Sequence, residues 1–298
     1  MSAPSVKRTW KDYILLALRG FCMGAADVVP GVSGGTMAFI LGIYEELLAA
    51  IQAVNPSLAR RLLQGRWREA LDGFPWAFLA VLLTGILLAI ATLAKGLSWA
   101  LHHHPAPVWG FFAGLVLASI AVVQRRIERW NGGLLVVAAL MGLALYGLVG
   151  LVPAATPEAP WFLILSGALA SCAMILPGIS GSFILVLLGK YHYILEAVVA
   201  RDLGTLGLVA LGCGLGLVSI ARLLGWLLRR YHDITVAGLT GLLVGSLRAL
   251  WPWKDGPDRA AGNIWPAAFN SEVLLVLGLV VLGCALVLGL DRLARRGG

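Results

Sequence analysis

The stretch Ala26-Asp27-Val28-Val29-Pro30-Gly31-Val32-Ser33-Gly34-Gly35-Thr36 interrupts a membrane-length apolar run with residues that end helices, and the chain repeats the interruption half its length later. There Ala173-Met174-Ile175-Leu176-Pro177-Gly178-Ile179-Ser180-Gly181-Ser182-Phe183 sets Pro on Pro, Gly on Gly, Ser on Ser and Gly on Gly at a constant offset of 147 residues. The register runs without a gap from Gly20 on Gly167 to Leu48 on Leu195, passing through Ala26 on Ala173, Gly42 on Gly189 and Tyr44 on Tyr191. Such a register marks an internal duplication, so the chain has to fold as two copies of one unit. Further on the offset falls to 127, where 114–119 resembles 241–246, so the first half carries a longer internal loop.

Composition decides what surrounds the two copies. Hydrophobic residues make up 59% of the 298 and charged residues 13%, with a mean hydropathy of +0.88, which points to a polytopic membrane protein rather than a soluble domain. The net charge of +8 does not indicate a nucleic-acid partner, because the basic residues lie in short clusters between apolar runs instead of on one solvated face. Cys22, Cys172, Cys213 and Cys284 sit inside apolar segments without metal or disulfide spacing and read as small core residues. Lys7, Arg8 and Lys11 before Tyr13 look like the start of a signal peptide, but no cleavage site follows, so the segment is expected to remain as the first membrane element.

Ten apolar runs can be drawn, five per half. The first half (1–153) holds 13–29, 31–51, 74–101, 108–124 and 133–152, and the second (154–298) holds 160–176, 178–200, 204–228, 234–251 and 272–290. The first two runs of each half are separated only by the Pro-Gly turn. Each pair is therefore either two tilted spans or a re-entrant hairpin, over 13–51 and 160–200. The hairpin is favoured, because a loop made of Pro30-Gly31 alone has no charge or aromatic anchor to hold it at a far surface. On either count each half crosses the membrane an odd number of times, so the second half is expected to be inverted relative to the first. Positive-inside counting agrees: with a cytoplasmic N-terminus, fifteen Lys and Arg fall inside, four (Lys190, Arg201, Lys254, Arg259) outside, and four within apolar runs. The expected fold is all-α with two inverted repeats, each a re-entrant hairpin plus three helices, and with both termini cytoplasmic.

Half of a ~30 Å hydrocarbon core is spanned by about ten helical residues, which places Pro30-Gly31 and Pro177-Gly178 near the midplane. Broken backbone at that depth is tolerated only where it is buried in protein or lines a polar cavity. Two half-helix N-termini meeting there would form an anion site, with amides of Gly34, Gly35 and Gly181 and hydroxyls of Ser33, Thr36, Ser180 and Ser182 as donors. The plainer reading is two kinked helices packed on their neighbours. Asp27, the acid deep in an apolar run, is a candidate for proton coupling, since burial disfavours the charged carboxylate; the alternative is a cap for the amides of its own hairpin. Arg19, Arg222 and Arg248 could compensate the charge of a bound anion or snorkel to an interface.

Other motifs lead elsewhere. His102-His103-His104 reads as a solvated loop, because three adjacent histidines do not converge on a metal without further ligands. No Walker lysine follows the Gly-rich turns and no Gly-x-Ser-x-Gly elbow is present, so neither nucleotide binding nor serine hydrolysis is expected, and no cofactor or metal is called for.

The run from Gly24 to Ala38, the later Ile43-Tyr44-Glu45, and Leu176-Pro177-Gly178-Ile179-Ser180-Gly181-Ser182 resemble the bacterial polyprenyl-phosphate transporter family over residues 14–290. The resemblance implies an inner-membrane translocase that returns undecaprenyl phosphate, the carrier lipid of cell-wall synthesis, from the outer to the cytoplasmic leaflet. Its partners would be the lipid and protons. Met174 opposite Asp27 and His192 opposite Glu45 speak against a strictly symmetric mechanism. Dimers are common among inverted-repeat proteins, so a homodimer is an open expectation, with no interface legible in the sequence. Two competing classes are a membrane undecaprenyl-pyrophosphate phosphatase, which also resembles this chain in its paired Pro-Gly-x-Ser turns, and a small-anion transporter. The phosphatase family places an Arg after the Ser, where this chain has Gly34 and Gly181, and phosphoryl transfer needs that positive charge.

Overall fold

The computed structural model describes residues 8–28, 33–71, 74–151, 153, 156–256 and 261–296. Pro30 and Gly31, and with them the tip of the first hairpin, lie outside the described residues. Among those described, the regular structure is helical, with a single isolated bridge between Lys254 and Asn263.

The first half begins with α1 (Trp10–Asp27), capped by Thr9 and Asp12, each side chain bonded to the other's backbone amide. It continues through α2 (Gly34–Ile40) and α3 (Tyr44–Gln52), two short helices α4 (Pro56–Leu63) and α5 (Trp67–Leu71), then α6 (Trp76–His103), α7 (Pro105–Val123) and α8 (Gly132–Val149). The second half repeats the order without the two short helices: α9 (Pro160–Ile175), α10 (Gly181–Leu187), α11 (Tyr191–Ala200), α12 (Leu203–Arg230), α13 (His232–Leu250) and α14 (Ser271–Arg296). Among the described residues six helices, α6, α7, α8, α12, α13 and α14, are long and apolar enough to cross a membrane.

The second run of each half is itself broken, and one expectation needs correction. The runs 31–51 and 178–200 are not continuous helices: each breaks into a short pair, bent by 119° between α2 and α3 and by 103° between α10 and α11. The cause is local, since Gly42 (φ 72°) and Gly189 (φ 64°) sit in the left-handed region at the breaks, where a side chain would be strained. Tyr44, the first residue after the bend, is 1% exposed. The correction is that His102 and His103 belong to the end of α6, each ring Nδ1 against the carbonyl four residues back, rather than to a solvated loop.

Helices pair through glycines that bring backbones into contact. On α1, methyl groups added at Gly20 and Gly24 would strike Leu82 and Ile86 of α6; on α12, Gly212 and Gly216 abut Ile164 and Ala168 of α9. Across the halves, Gly110 and Gly114 of α7 meet Val276 and Val280 of α14, while Gly241 and Gly245 of α13 meet Ala138 and Gly142 of α8. In all four pairs the residue numbers rise together, so the partners run parallel. α7 and α13 are the most buried spans, and α6, α8, α12 and α14 turn apolar faces outward, with Leu87, Leu140, Leu215 and Leu282 all exposed. Faces of that extent suit lipid rather than water. The chain is a multi-pass membrane protein.

Candidate functional site

The two interrupted segments meet. α9 ends at Ile175, just before Pro177, and the last carbonyls of a helix have no partner within it. Here the first half supplies the missing donors: Ser33 Oγ donates to the Met174 carbonyl at 2.7 Å, and the Tyr44 hydroxyl to the Ile175 carbonyl at 3.2 Å. In return the Gly178 amide donates to Thr36 Oγ1 at 3.0 Å. Gly178 adopts φ 88°, and a Cβ there would lie 3.0 Å from the Leu242 carbonyl of α13, so only glycine suits the position.

The start of α2 is closed by its own neighbourhood. Ser33, in extended conformation, is the N-cap and accepts from the Gly35 amide at 3.1 Å. Asp27, the last residue of α1, accepts from the Gly34 amide through Oδ1 at 2.6 Å. Gly34 has no side chain to obstruct this: a Cβ would fall 2.5 Å from Asp27 Oδ2. A Cβ at Gly35 would fall 2.5 Å from the Ile175 carbonyl, so the second glycine is what lets the two turns touch. Asp27 thus fills the capping role named as its alternative in the sequence reading, with the carboxylate standing where an external anion would bind the amide.

The second turn is different. Ser180 is also an extended N-cap residue, but its hydroxyl pairs with Ser182 Oγ at 2.8 Å and takes no amide of α10. All seven residues of α2 are buried, whereas α10 has none in that class. Ser33, Gly34, Gly35 and Thr36 are therefore enclosed and internally bonded, while Gly181 and Ser182 are partly open.

The three arginines are engaged away from these turns. Arg19 is half-buried on α1, in the field of Glu46, Arg8 and Asp12. Arg222 is exposed on α12 and donates to the Val54 carbonyl at 3.4 Å. Arg248 donates to the Tyr146 carbonyl at 2.7 Å and covers the Tyr146 ring, closing the end of α8. Sequence reading did not single out Tyr44, Gln52, Arg126 or Lys190 as structural ties. Gln52 Nε2 donates to the Ala221 carbonyl at 2.8 Å, bridging α3 to α12. Arg126 donates to the Phe39 carbonyl at the end of α2 and lies over the Phe39 ring. Lys190, placed by topology among the outside cations, is 2% exposed, donates to the Thr156 carbonyl and lies near the rings of Phe162 and Tyr193. Gln52 was detectable as an amide directly at the end of an apolar run and Tyr44 as a repeated residue; neither pattern names a partner.

A family profile described as undecaprenyl phosphate translocase-like matches residues 23–263. The chain is 43% identical to a polyprenyl-phosphate transporter of Vibrio cholerae, over 96% of this chain and 98% of that protein. It is 31% identical to a polyprenyl-phosphate transporter of Staphylococcus aureus, over 89% of this chain and 93% of that protein. No solved structure matches it.

Proposed function

This chain belongs to the undecaprenyl phosphate translocase-like family, and from that premise we propose that it is a transporter that carries undecaprenyl phosphate across the bacterial cytoplasmic membrane, from the outer to the inner leaflet. The observation that carries the reading is the contact of the two turns, Ser33 with the Met174 carbonyl and the Gly178 amide with Thr36. It brings the donor-rich ends of both hairpins to one place inside an apolar protein. A phosphate monoester needs such donors away from water, and its isoprenoid tail can stay in lipid beside the exposed faces of the outer helices.

The halves 1–153 and 154–298 form an inverted pair. This is supported by the cross-half helix pairing: α7 parallel to α14 and α8 parallel to α13 set second span against third in both directions, as inversion of alternating spans requires. With cytoplasmic termini, the second hairpin enters from the outer face, and its partly open Gly181 and Ser182, with the buried Ser180 hydroxyl behind them, receive the head group first. Ser33, Gly34, Gly35 and Thr36 bind it once the first turn opens. Arg19, Arg222 and Arg248 act on the approach paths. Protons couple through Asp27 by competition: the carboxylate occupies the Gly34 amide, and its protonation weakens that bond and yields the amide to the phosphate. Recycling of the carrier lipid for cell-wall synthesis follows from inward movement.

The test is movement of labelled undecaprenyl phosphate across proteoliposomes, with and without a proton gradient. Wild type, Ser33→Ala/Ser180→Ala and Asp27→Asn would be compared. Serine-dependent movement with gradient dependence lost in Asp27→Asn supports the reading; no movement by folded wild-type protein under either gradient overturns it.

A further inference from the structure

The drop in repeat offset from 147 to 127 has a structural location. α11 and α12 are joined by Arg201 and Asp202 alone, whereas 53–75 separates α3 from α6 and contains α4 and α5. The insertion belongs to one half and contributes nothing to the paired turns. Its side chains are unusual for a water-facing connection. Leu63, Trp67 and Leu71 are 89%, 62% and 52% exposed. Between 56 and 71 the sequence has four arginines, Arg60, Arg61, Arg66 and Arg68, and one acid, Glu69.

Two of those arginines build the element. Arg66 pairs with Glu69 at 2.9 Å, and Arg61 donates to the Glu69 carbonyl at 3.1 Å, tying α4 to α5 around Gly65. Arg60 and Arg68 are exposed and make no ion pair among the described residues. The insertion runs directly into α6, a 28-residue apolar helix whose first residue, Trp76, is 60% exposed. It therefore lies where a span enters the bilayer, continuous with a lipid-facing surface.

Exposed Leu and Trp beside uncompensated Arg is the composition of an interfacial segment: the apolar groups enter the boundary of the acyl chains and the guanidinium groups reach phosphate oxygens. We propose that residues 56–71 lie in the headgroup layer and bind anionic phospholipids, with Arg60 and Arg68 on lipid phosphates and Leu63, Trp67 and Leu71 inserted below them. Because only the first half carries the element, the two membrane faces of the protein differ: one grips its leaflet by charge. The inference depends on the membrane-spanning helices and not on which lipid is transported.

Hydrogen exchange of the full chain in nanodiscs tests it, comparing phosphatidylcholine alone with a mixture of phosphatidylcholine and phosphatidylglycerol. Amides of 56–71 exchange about tenfold more slowly in the anionic discs, and Arg60→Gln/Arg68→Gln removes the difference while α6 and α7 stay protected as in wild type. Equal exchange in the two lipids, or a lipid dependence that survives the double substitution, overturns the proposal. So does protection that follows the number of protein copies per disc instead of headgroup charge, which would assign the face to a second copy of the chain.

Discussion

Ser33 and Met174 are bonded across the two halves, hydroxyl to carbonyl at 2.7 Å, and Met174 is the residue that aligns with Asp27 in the duplication. The first copy uses this position for a carboxylate side chain and the second uses its backbone. Both serve the same few atoms at the start of α2: Asp27 takes the Gly34 amide, and Met174 takes the hydroxyl of the residue before it.

Ser33→Ala should lower stability by about 1–2 kcal/mol, since it removes the bond to Met174 and leaves the Gly35 amide unpaired in a buried place. Ser180→Ala should leave the melting temperature nearly unchanged, because only the Ser182 hydroxyl loses a partner. If Ser180 binds the lipid phosphate, transport still falls about tenfold. Thermal unfolding and lipid transport, measured on both variants, separate structural from binding loss.

Two glycine substitutions should behave in opposite ways. Gly35→Ala drives a methyl group onto the Ile175 and Met174 carbonyls and should separate the turns, with transport reduced to background. Gly96→Ala on α6 meets nothing within 4 Å and should raise stability by up to about 1 kcal/mol through helix propensity. Transport near background in Gly96→Ala as well would show that the assay reports general glycine sensitivity, not turn contact.

For Asp27, Asn and Ala separate charge from geometry. Asn keeps an acceptor for the Gly34 amide, so Asp27→Asn should fold as wild type yet transport without regard to a proton gradient. Asp27→Ala leaves that amide without its partner and should unfold earlier, by about 1–3 kcal/mol. Gradient-driven transport by Asp27→Asn equal to wild type would remove the coupling role.

Acid should loosen the start of α12. The Asp202 carboxyl, ahead of the helix, is held below the usual carboxylate range by the Thr205 hydroxyl and then by the Thr205 and Gly204 amides. A group with a lowered folded value stabilises above its unfolded pKa, and that contribution is lost as pH falls through the folded value. Amides of the first turn of α12 should therefore exchange faster on acidification below about pH 4, and Asp202→Asn should abolish that dependence without affecting the rest of the helix.

Much of the architecture was legible because it is encoded by short-range chemistry. Pro177, Gly178 and the Ser that follows end and restart a helix wherever they occur, and apolar runs long enough to span a bilayer announce themselves by length. The six long helices and both interruptions follow from those signals, and so does the duplication. The bends at Gly42 and Gly189 were equally local, but an uninterrupted apolar run conceals a break of three residues. Partnership was not legible at all. That Ser33 finds Met174, Tyr44 finds Ile175 and Gln52 finds Ala221 depends on how helices dock, and lipid-facing and protein-facing apolar residues look alike in sequence. The same holds for α2 being enclosed while α10 stays partly open: both are short apolar helices that start from a Ser N-cap and a Gly, and although their other residues differ, nothing in either run says which one the rest of the chain will cover.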